Sequence, residues 1–279
     1  MINNLPVKTL KHKDWTIEGY SRAAVQTYWR IPELNVGFDL GAQPSSFMGT
    51  ETWFVSHAHL DHIAALQIYV ARRRMMKMKP PTIYMPESTI QPIKQILHEF
   101  TRLDRVRLPC DLKPVAPGDE IEISREHVVT VSATTHSVPS LGFVVWERRR
   151  KLKPEFVGLP GDKIRDLRLA GEQVTTERRL PLVAYLGDSS PEGLDNCPAM
   201  YEAEVLILEV TFIAPGHRRE KIHKFGHIHI DDVVERRDRF KNQRVIASHF
   251  STRYHDGAIR EMVANALPDM LEGRLTLWL

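Results

Sequence analysis

Thr52–Leu66 reads TWFVSHAHLDHIAAL. Four residues suited to extended chain, Thr52–Val55, run into His57, Ala58, His59, Leu60, Asp61 and His62, and a helix-like stretch, Ile63–Arg74, follows. In extended chain, residues two apart point the same way, so His57 and His59 can share one metal ion. Asp61 and His62 lie where the chain must turn into the helix and can face a neighbouring second ion. Imidazole and carboxylate suit borderline divalent cations, zinc first, and no cysteine takes part. The plain alternative is a histidine-rich surface loop in which Ser56 or Asp61 caps the helix. Three histidines and an aspartate within six residues, between strand and helix, are too dense for it.

Working outward, 279 residues with 42% hydrophobic and 26% charged content describe an ordinary globular protein with a sizeable core. Cys110 and Cys197 form no framework and no CxxC. The amino-terminal MINNLPVKTLKHKDW lacks an apolar signal core, and no run of about 18 apolar residues occurs. Secretion and membrane spanning are not expected, and a cytoplasmic setting is, with nucleus and organelle left open. A net charge of +3 is too small to diagnose nucleic-acid binding by itself.

Strand patterns occupy Trp15–Tyr20, Ala24–Trp29, Val36–Asp39, Thr82–Met85, Glu120–Ile123, Val128–Ala133 and Phe143–Glu147. Thr89–Thr101 reads as a helix. The rhythm breaks between 147 and 180, where ten Lys/Arg face six Asp/Glu, and resumes with Leu182–Leu186, Val205–Val210, Ile230–Phe240 and Arg244–Ser248. His136, Asp188, Glu209 and His249 each stand at the carboxyl end of such a strand, as His57 does. Open α/β architectures build their sites at those ends. A lone histidine after a strand is more often a satisfied core or surface residue, and a lone Gly-Asp a turn. Together the set supplies a third ligand for the first metal, a bridging carboxylate and a further histidine for the second.

These residues resemble the metallo-β-lactamase superfamily, whose hallmark is HxHxDH followed by separated His, Asp and His ligands. Within it the chain is similar to short-form ribonuclease Z: HAHLDH at 57–62, His136 with SVPSLGF, YLGDS at 185–189, LEVTF at 208–212, GHIHI at 226–230 and SHFSTRY at 248–254 occur in order. HAHLDH by itself specifies only the superfamily; GHIHI and SHFSTRY after LEVTF point to the ribonuclease Z branch. Ala64 and Ala65 stand where that family commonly has glycines, and Ser189 replaces a usual threonine.

The resemblance implies one αββα four-layer sandwich domain over 1–279, with two mixed sheets and a compact basic substrate arm at about 147–180. It implies two Zn2+ per subunit, with Mn2+ or Fe2+ as substitutes: His57, His59 and His136 on one, Asp61, His62 and His249 on the other, and Asp188 bridging. Such a pair of ions, about 3.5 Å apart, lowers the pKa of shared water and polarises a phosphodiester. The implied reaction removes the 3′ trailer of precursor tRNA, leaving a tRNA 3′-OH and a trailer 5′-phosphate. Asp61 is a candidate for orienting the water, His227 for the general acid, and Glu209 for orienting His227. His229, two residues along, is the rival acid. A homodimer, with one subunit's arm holding tRNA on the other's site, is implied as well.

The excess positive charge lies in the arm, where Arg148, Arg149, Lys151, Lys153, Lys163, Arg165 and Arg168 are candidate phosphate contacts against the alternative of a solvated loop. Ser251 and Arg253 with Tyr254 could grip a phosphate or brace the ligand loop. Arg72, Arg73, Arg74, Lys77 and Lys79 form a second patch that suits a helix terminus as well as RNA. Arg236, Arg237, Arg239 and Lys241 read as an exposed face, and Tyr69, Met75, Met76 and Met78 as core or subunit contacts. A competing function is a superfamily hydrolase of a small thioester, lactone or cyclic nucleotide, which needs no basic arm. A non-catalytic RNA-binding protein is disfavoured by the complete ligand set.

Overall fold

The computed structural model describes residues 5–279, so part of the amino-terminal reading lies outside the described residues. Its strands make two seven-stranded sheets. In the first, β1 (Lys8–His12), β2 (Trp15–Arg22), β3 (Gln26–Ile31) and β4 (Val36–Leu40) are antiparallel neighbours. Strands β5 (Thr52–Phe54), β6 (Thr82–Pro86) and β7 (Asp111–Val115) extend that sheet in parallel. The second sheet repeats the pattern. β8 (Glu120–Glu122), β9 (His127–Ala133), β10 (Leu141–Leu152) and β11 (Thr175–Tyr185) are antiparallel, and β12 (Val205–Glu209), β13 (Arg244–Ser248) and β14 (Leu275–Leu277) follow in parallel.

Helices α1 (Leu60–Ile63), α2 (Leu66–Met75) and α3 (Glu87–Asp104) accompany the first sheet, and α4 (Gly161–Leu169) lies between β10 and β11. Helices α5 (Glu192–Asp195), α6 (Pro198–Glu202), α7 (Arg219–Lys224), α8 (Ile230–Glu235) and α9 (Asp256–Ala266) accompany the second.

Three apolar layers hold this sandwich together. Alternation along each central strand explains them, because successive side chains leave opposite faces. Trp53 packs towards the helices with Tyr69 and Val70, whereas Phe54 packs between the sheets with Phe38 and Phe143. Likewise Leu206 and Leu208 face Val233 and Ile259, whereas Val205 and Ile207 face the central layer. A strand covered on both sides reads as an unbroken apolar run, which is what VLIL is. The αββα architecture follows from these faces.

Some elements differ from their sequence reading. The helix expected over Ile63–Arg74 is two helices, α1 and α2, because the Ala65 N–H leaves the helical ladder and donates to the Leu40 carbonyl (2.9 Å). The segment Ile230–Phe240 is not one element: α8 stops at Glu235, and a 3-10 turn covers Arg237–Arg239. Its arginines are not simply an exposed face: Arg236 and Arg239 both bond Asp195, and Arg239 also lies over the Tyr201 ring. Arg73 is fully buried, donating to the carbonyls of Met48, Thr50 and Lys79, so the patch after the metal loop is smaller than its sequence suggests. Arg72 is likewise tied to Gln43 and Ser45.

Between 147 and 180 the chain is a long hairpin rather than a loop. The β10/β11 ladder runs from Phe143↔Tyr185 out to Leu152↔Thr175, and α4 is part of the connection at its far end. No described helix is long and apolar enough to cross a membrane.

Candidate metal centre

The carboxyl ends of β5, β9, β11, β12 and β13 meet at one edge of the sandwich, and each is followed by a metal-binding type of side chain. His57 leaves β5 fully buried, with Ser56 Oγ 3.0 Å from its Nδ1. Its Nε2 lies 3.1 Å from His59 Nδ1, which is 3.1 Å from His136 Nε2. Zinc–imidazole bonds of about 2.0–2.1 Å in a tetrahedron place neighbouring nitrogens about 3.3 Å apart, so this triangle fits one ion. Burial holds all three imidazoles below the ordinary histidine pKa, leaving lone pairs for a cation. His136 Nδ1–H donates to the Gly226 carbonyl (2.8 Å), which turns Nε2 towards the triangle.

A second group adjoins it. His62 Nε2 and His249 Nε2 are 3.3 Å apart, and Asp61 Oδ2 is 3.6 and 3.5 Å from them. Asp188, set after β11 by Gly187 at φ +67°, places Oδ2 3.5 Å from His62 Nε2, 3.4 Å from His249 Nε2 and 3.8 Å from His57 Nε2. One buried carboxylate oxygen thus reaches both groups. Burial alone would raise its pKa, but the surrounding imidazoles hold it well below the usual carboxylate range. Two adjoining clusters of imidazole and carboxylate, free of cysteine, are a donor set for divalent cations of the zinc type.

Outer partners fix the orientation of several of these side chains. His62 Nδ1 donates to Asp39 Oδ2 (2.7 Å), and Asp39 also accepts from Ser56 N–H (2.7 Å), Ser56 Oγ (2.8 Å) and the Tyr185 hydroxyl. Thr211 Oγ1 donates to Glu209 Oε2 (2.7 Å) and so accepts from His249 Nδ1 (2.9 Å), leaving His249 Nε2 for the ion. His249 itself has φ +61°, the left-handed region that non-glycine residues rarely occupy. Ala24 N–H donates to Asp61 Oδ2 (2.8 Å).

His227 stands beside both groups, its ring centroid 5.1 Å from that of His136 and 5.9 Å from that of His249. Its side chain is 18% exposed, and its Nδ1 is 3.1 Å from Glu209 Oε1. Burial would lower its pKa, but the charge and hydrogen bond of Glu209 outweigh that and push it up to about 9. Glu209 is held in turn by the N–H groups of Thr211 (2.9 Å) and Ile228 (3.1 Å). His229 turns away from the cleft. Its Nε2 donates to the Ala214 carbonyl (2.9 Å) and its Nδ1 accepts from Asp231 N–H (3.2 Å), capping α8.

The pattern of the Beta-lactamase superfamily domain matches residues 40–250, which contain every ligand named above. A tRNase Z of Arabidopsis thaliana, TRZ1, is 35% identical over 271 residues, 96% of each chain. The chain belongs to the ribonuclease Z family. With it, the chain belongs among the metal-dependent hydrolases of the metallo-β-lactamase superfamily. The chloroplastic tRNase Z TRZ2 of the same plant is 34% identical, over 92% of this chain and 73% of its own. The short form of human tRNase Z superposes with a TM-score of 0.53 at 17% identity, over 86% of this chain and 87% of that one, and so shares the fold.

Other residues singled out in the sequence lie elsewhere. Ser251 is buried, and its N–H donates to the Thr211 carbonyl (3.0 Å), so it braces the ligand loop. Arg253 is exposed and near the cleft, 6.0 Å from the Phe212 ring. The arm residues are far off. Leu141, whose N–H donates to the Ser56 carbonyl beside His57, begins β10. At about 3.4 Å per residue, Arg148 to Leu152 lie roughly 24 to 37 Å further along the strand. Arg148 is also engaged, paired with Glu122 (2.8 Å) and donating to the Arg125 carbonyl (3.0 Å). Arg149 pairs with Glu147 and Arg165 with Asp166, while Lys151, Lys163 and Arg168 are exposed and Lys153 is half-buried.

Asp39, Tyr185, Thr211 and Gly226 escaped the sequence reading as site residues. Gly226, at φ +73°, passes so close that a Cβ would lie 2.3 Å from His136 Cα and 2.6 Å from the Thr135 carbonyl. Gly226→Ala should therefore displace His136 and weaken metal retention about 10- to 100-fold, the range for losing a partner of a metal ligand. Competition with a graded chelator would show it; unchanged retention would mean the loop gives way freely.

Proposed function

We propose that the chain is a zinc-dependent endoribonuclease that removes the 3′ trailer of precursor tRNA. The observation that carries this reading is the His227–Glu209 pair set beside two convergent ligand groups joined by Asp188. His57, His59 and His136 would hold one ion, Asp61, His62 and His249 the other, and Asp188 both. Bound there, divalent ions would supply a nucleophile at neutral pH and polarise the phosphodiester. Zinc suits the imidazole-rich set, with manganese or iron as alternatives that metal analysis of the purified protein separates.

The protein's own groups do the rest. Asp61, which accepts from Ala24 N–H, would orient the attacking water. The tRNA 3′ oxygen leaves poorly unless protonated, and His227 holds the proton it needs. Glu209 keeps Nδ1 engaged, so Nε2 is the atom that delivers it. The products are a tRNA 3′-OH and a trailer 5′-phosphate. The deciding experiment is incubation of the metal-loaded protein with a 3′-extended precursor tRNA. Cleavage after the discriminator base supports the reading; an intact precursor alongside hydrolysis of a small ester or cyclic nucleotide overturns it.

The arm is read as a clamp on the body of the RNA. Its basic residues stand too far along β10 to reach a phosphate at their own centre, which favours contact with a distant part of the substrate or with RNA on a partner subunit's centre in a homodimer. Arg149→Gln, Lys151→Gln and Lys153→Gln together should weaken precursor binding and flatten its salt dependence by about one unit of slope per lost contact. Arg148 is left out because its engagement with Glu122 makes its loss structural. Binding measured across a salt series checks this, and an unchanged slope would remove the arm from recognition.

A further inference from the structure

We propose that Phe212 is a stacking platform for the base of the last nucleotide retained on the tRNA, and that it sets which phosphodiester is cut; this rests on the reading above. Phe212 ends LEVTF, and neither the metal groups nor the acid use it. Its backbone is clamped on both sides: its N–H donates to the Ile228 carbonyl (3.2 Å) and its carbonyl accepts from Ile230 N–H (2.8 Å), an isolated bridge beside His229. The ring is part-exposed and lies 6.0 Å from the His227 ring at 70°. His217 supports it edge-on at 5.6 Å and is itself held by the Tyr254 hydroxyl (3.0 Å). The exposed guanidinium of Arg253 lies 6.0 Å from the ring centroid.

The chemistry says which nucleotide comes here. As the bond from phosphorus to the 3′ oxygen breaks, the oxygen of water ends on the trailer phosphate and the His227 proton on the 3′ oxygen. That 3′ oxygen belongs to the last retained nucleotide, so its sugar must sit against His227 and its base within a ring's width. The aromatic surface at that distance is Phe212. A ring on clamped backbone loses little freedom when a base stacks on it. Stacking tolerates any base, because each has a π-face, and the exposed Arg253 guanidinium lies over the same ring.

The test uses the full-length metal-loaded protein and two precursors, one normal and one abasic at the last retained position. Wild type, Phe212→Ala and Phe212→Trp are compared for KM, kcat and the position of the cut, with metal content and melting temperature recorded. Loss of one stack is expected to raise KM about 5- to 150-fold and to spread cleavage onto neighbouring bonds. The abasic precursor should impose the same loss on wild type and little further loss on Phe212→Ala, and Phe212→Trp should recover most of it. An alanine variant that cuts normally, or that loses the same factor on both precursors, overturns the proposal and leaves the endonuclease reading standing. A wild type that leaves both precursors whole removes the two together.

Discussion

His227→Ala is expected to cut precursor tRNA about 10²- to 10⁴-fold more slowly than wild type, the usual contribution of a general acid, while keeping its metal. His227 belongs to neither of the two ligand sets assigned above, so its loss leaves both intact. The pH profile supplies a second, sharper readout. A general acid must carry its proton, so the rate falls as pH rises through its pKa. Glu209 holds that pKa up, at about 9, and cations bound alongside draw it towards neutrality. The alkaline limb of wild type is therefore expected at or below pH 9. Glu209→Gln removes the charge that raises it, so the limb should move to lower pH with metal content unchanged. A limb that stays put in Glu209→Gln would take His227 out of the protonation step.

The largest effect on stability is expected from a residue that binds no ion. Asp39 is fully buried, and its carboxylate accepts from His62 Nδ1, Ser56 and Tyr185 at once. Asp39→Ala leaves those donors buried without a partner. Breaking a buried charged pair from one side costs about 3–5 kcal/mol. The same change frees the His62 ring to rotate and should lower metal affinity about 10- to 100-fold. Urea unfolding of the metal-stripped protein isolates the first effect, and chelator competition the second. Asp39→Asn, which keeps a carbonyl acceptor in place, should fall between. Equal stability of Asp39→Ala and wild type would show that water replaces the carboxylate without penalty.

What the sequence makes legible follows from what each residue type is forced to do. HAHLDH and the polar residues ending apolar strands are visible because few other arrangements tolerate them, and their nitrogens and oxygens do converge. Asp39 hides because a single aspartate at a strand end looks like a turn residue, and its three partners come from the loop after β5, from α1 and from β11 only after folding. Strands β1, β7 and β14 lie at sheet edges, where one polar or short segment carries no alternation to read. β7 even contains Pro114, which only an edge tolerates well. The arm's ladder is invisible for a related reason: beyond Glu147 both strands are largely solvent-facing, so no hydrophobic period marks them. Spacing alone puts His227 and His229 on one face; the motif resemblance favours His227, and in the fold the N-cap of α8 turns His229 away.

The ligand atoms come from both halves of the sandwich. His57, His59, Asp61 and His62 follow a strand of the first sheet, whereas His136, Asp188 and His249 follow strands of the second. Each group of three therefore spans the seam. Ions held by these groups would tie the two halves of the sandwich together, so a full set of ligands would be assembled only after the halves have closed on each other.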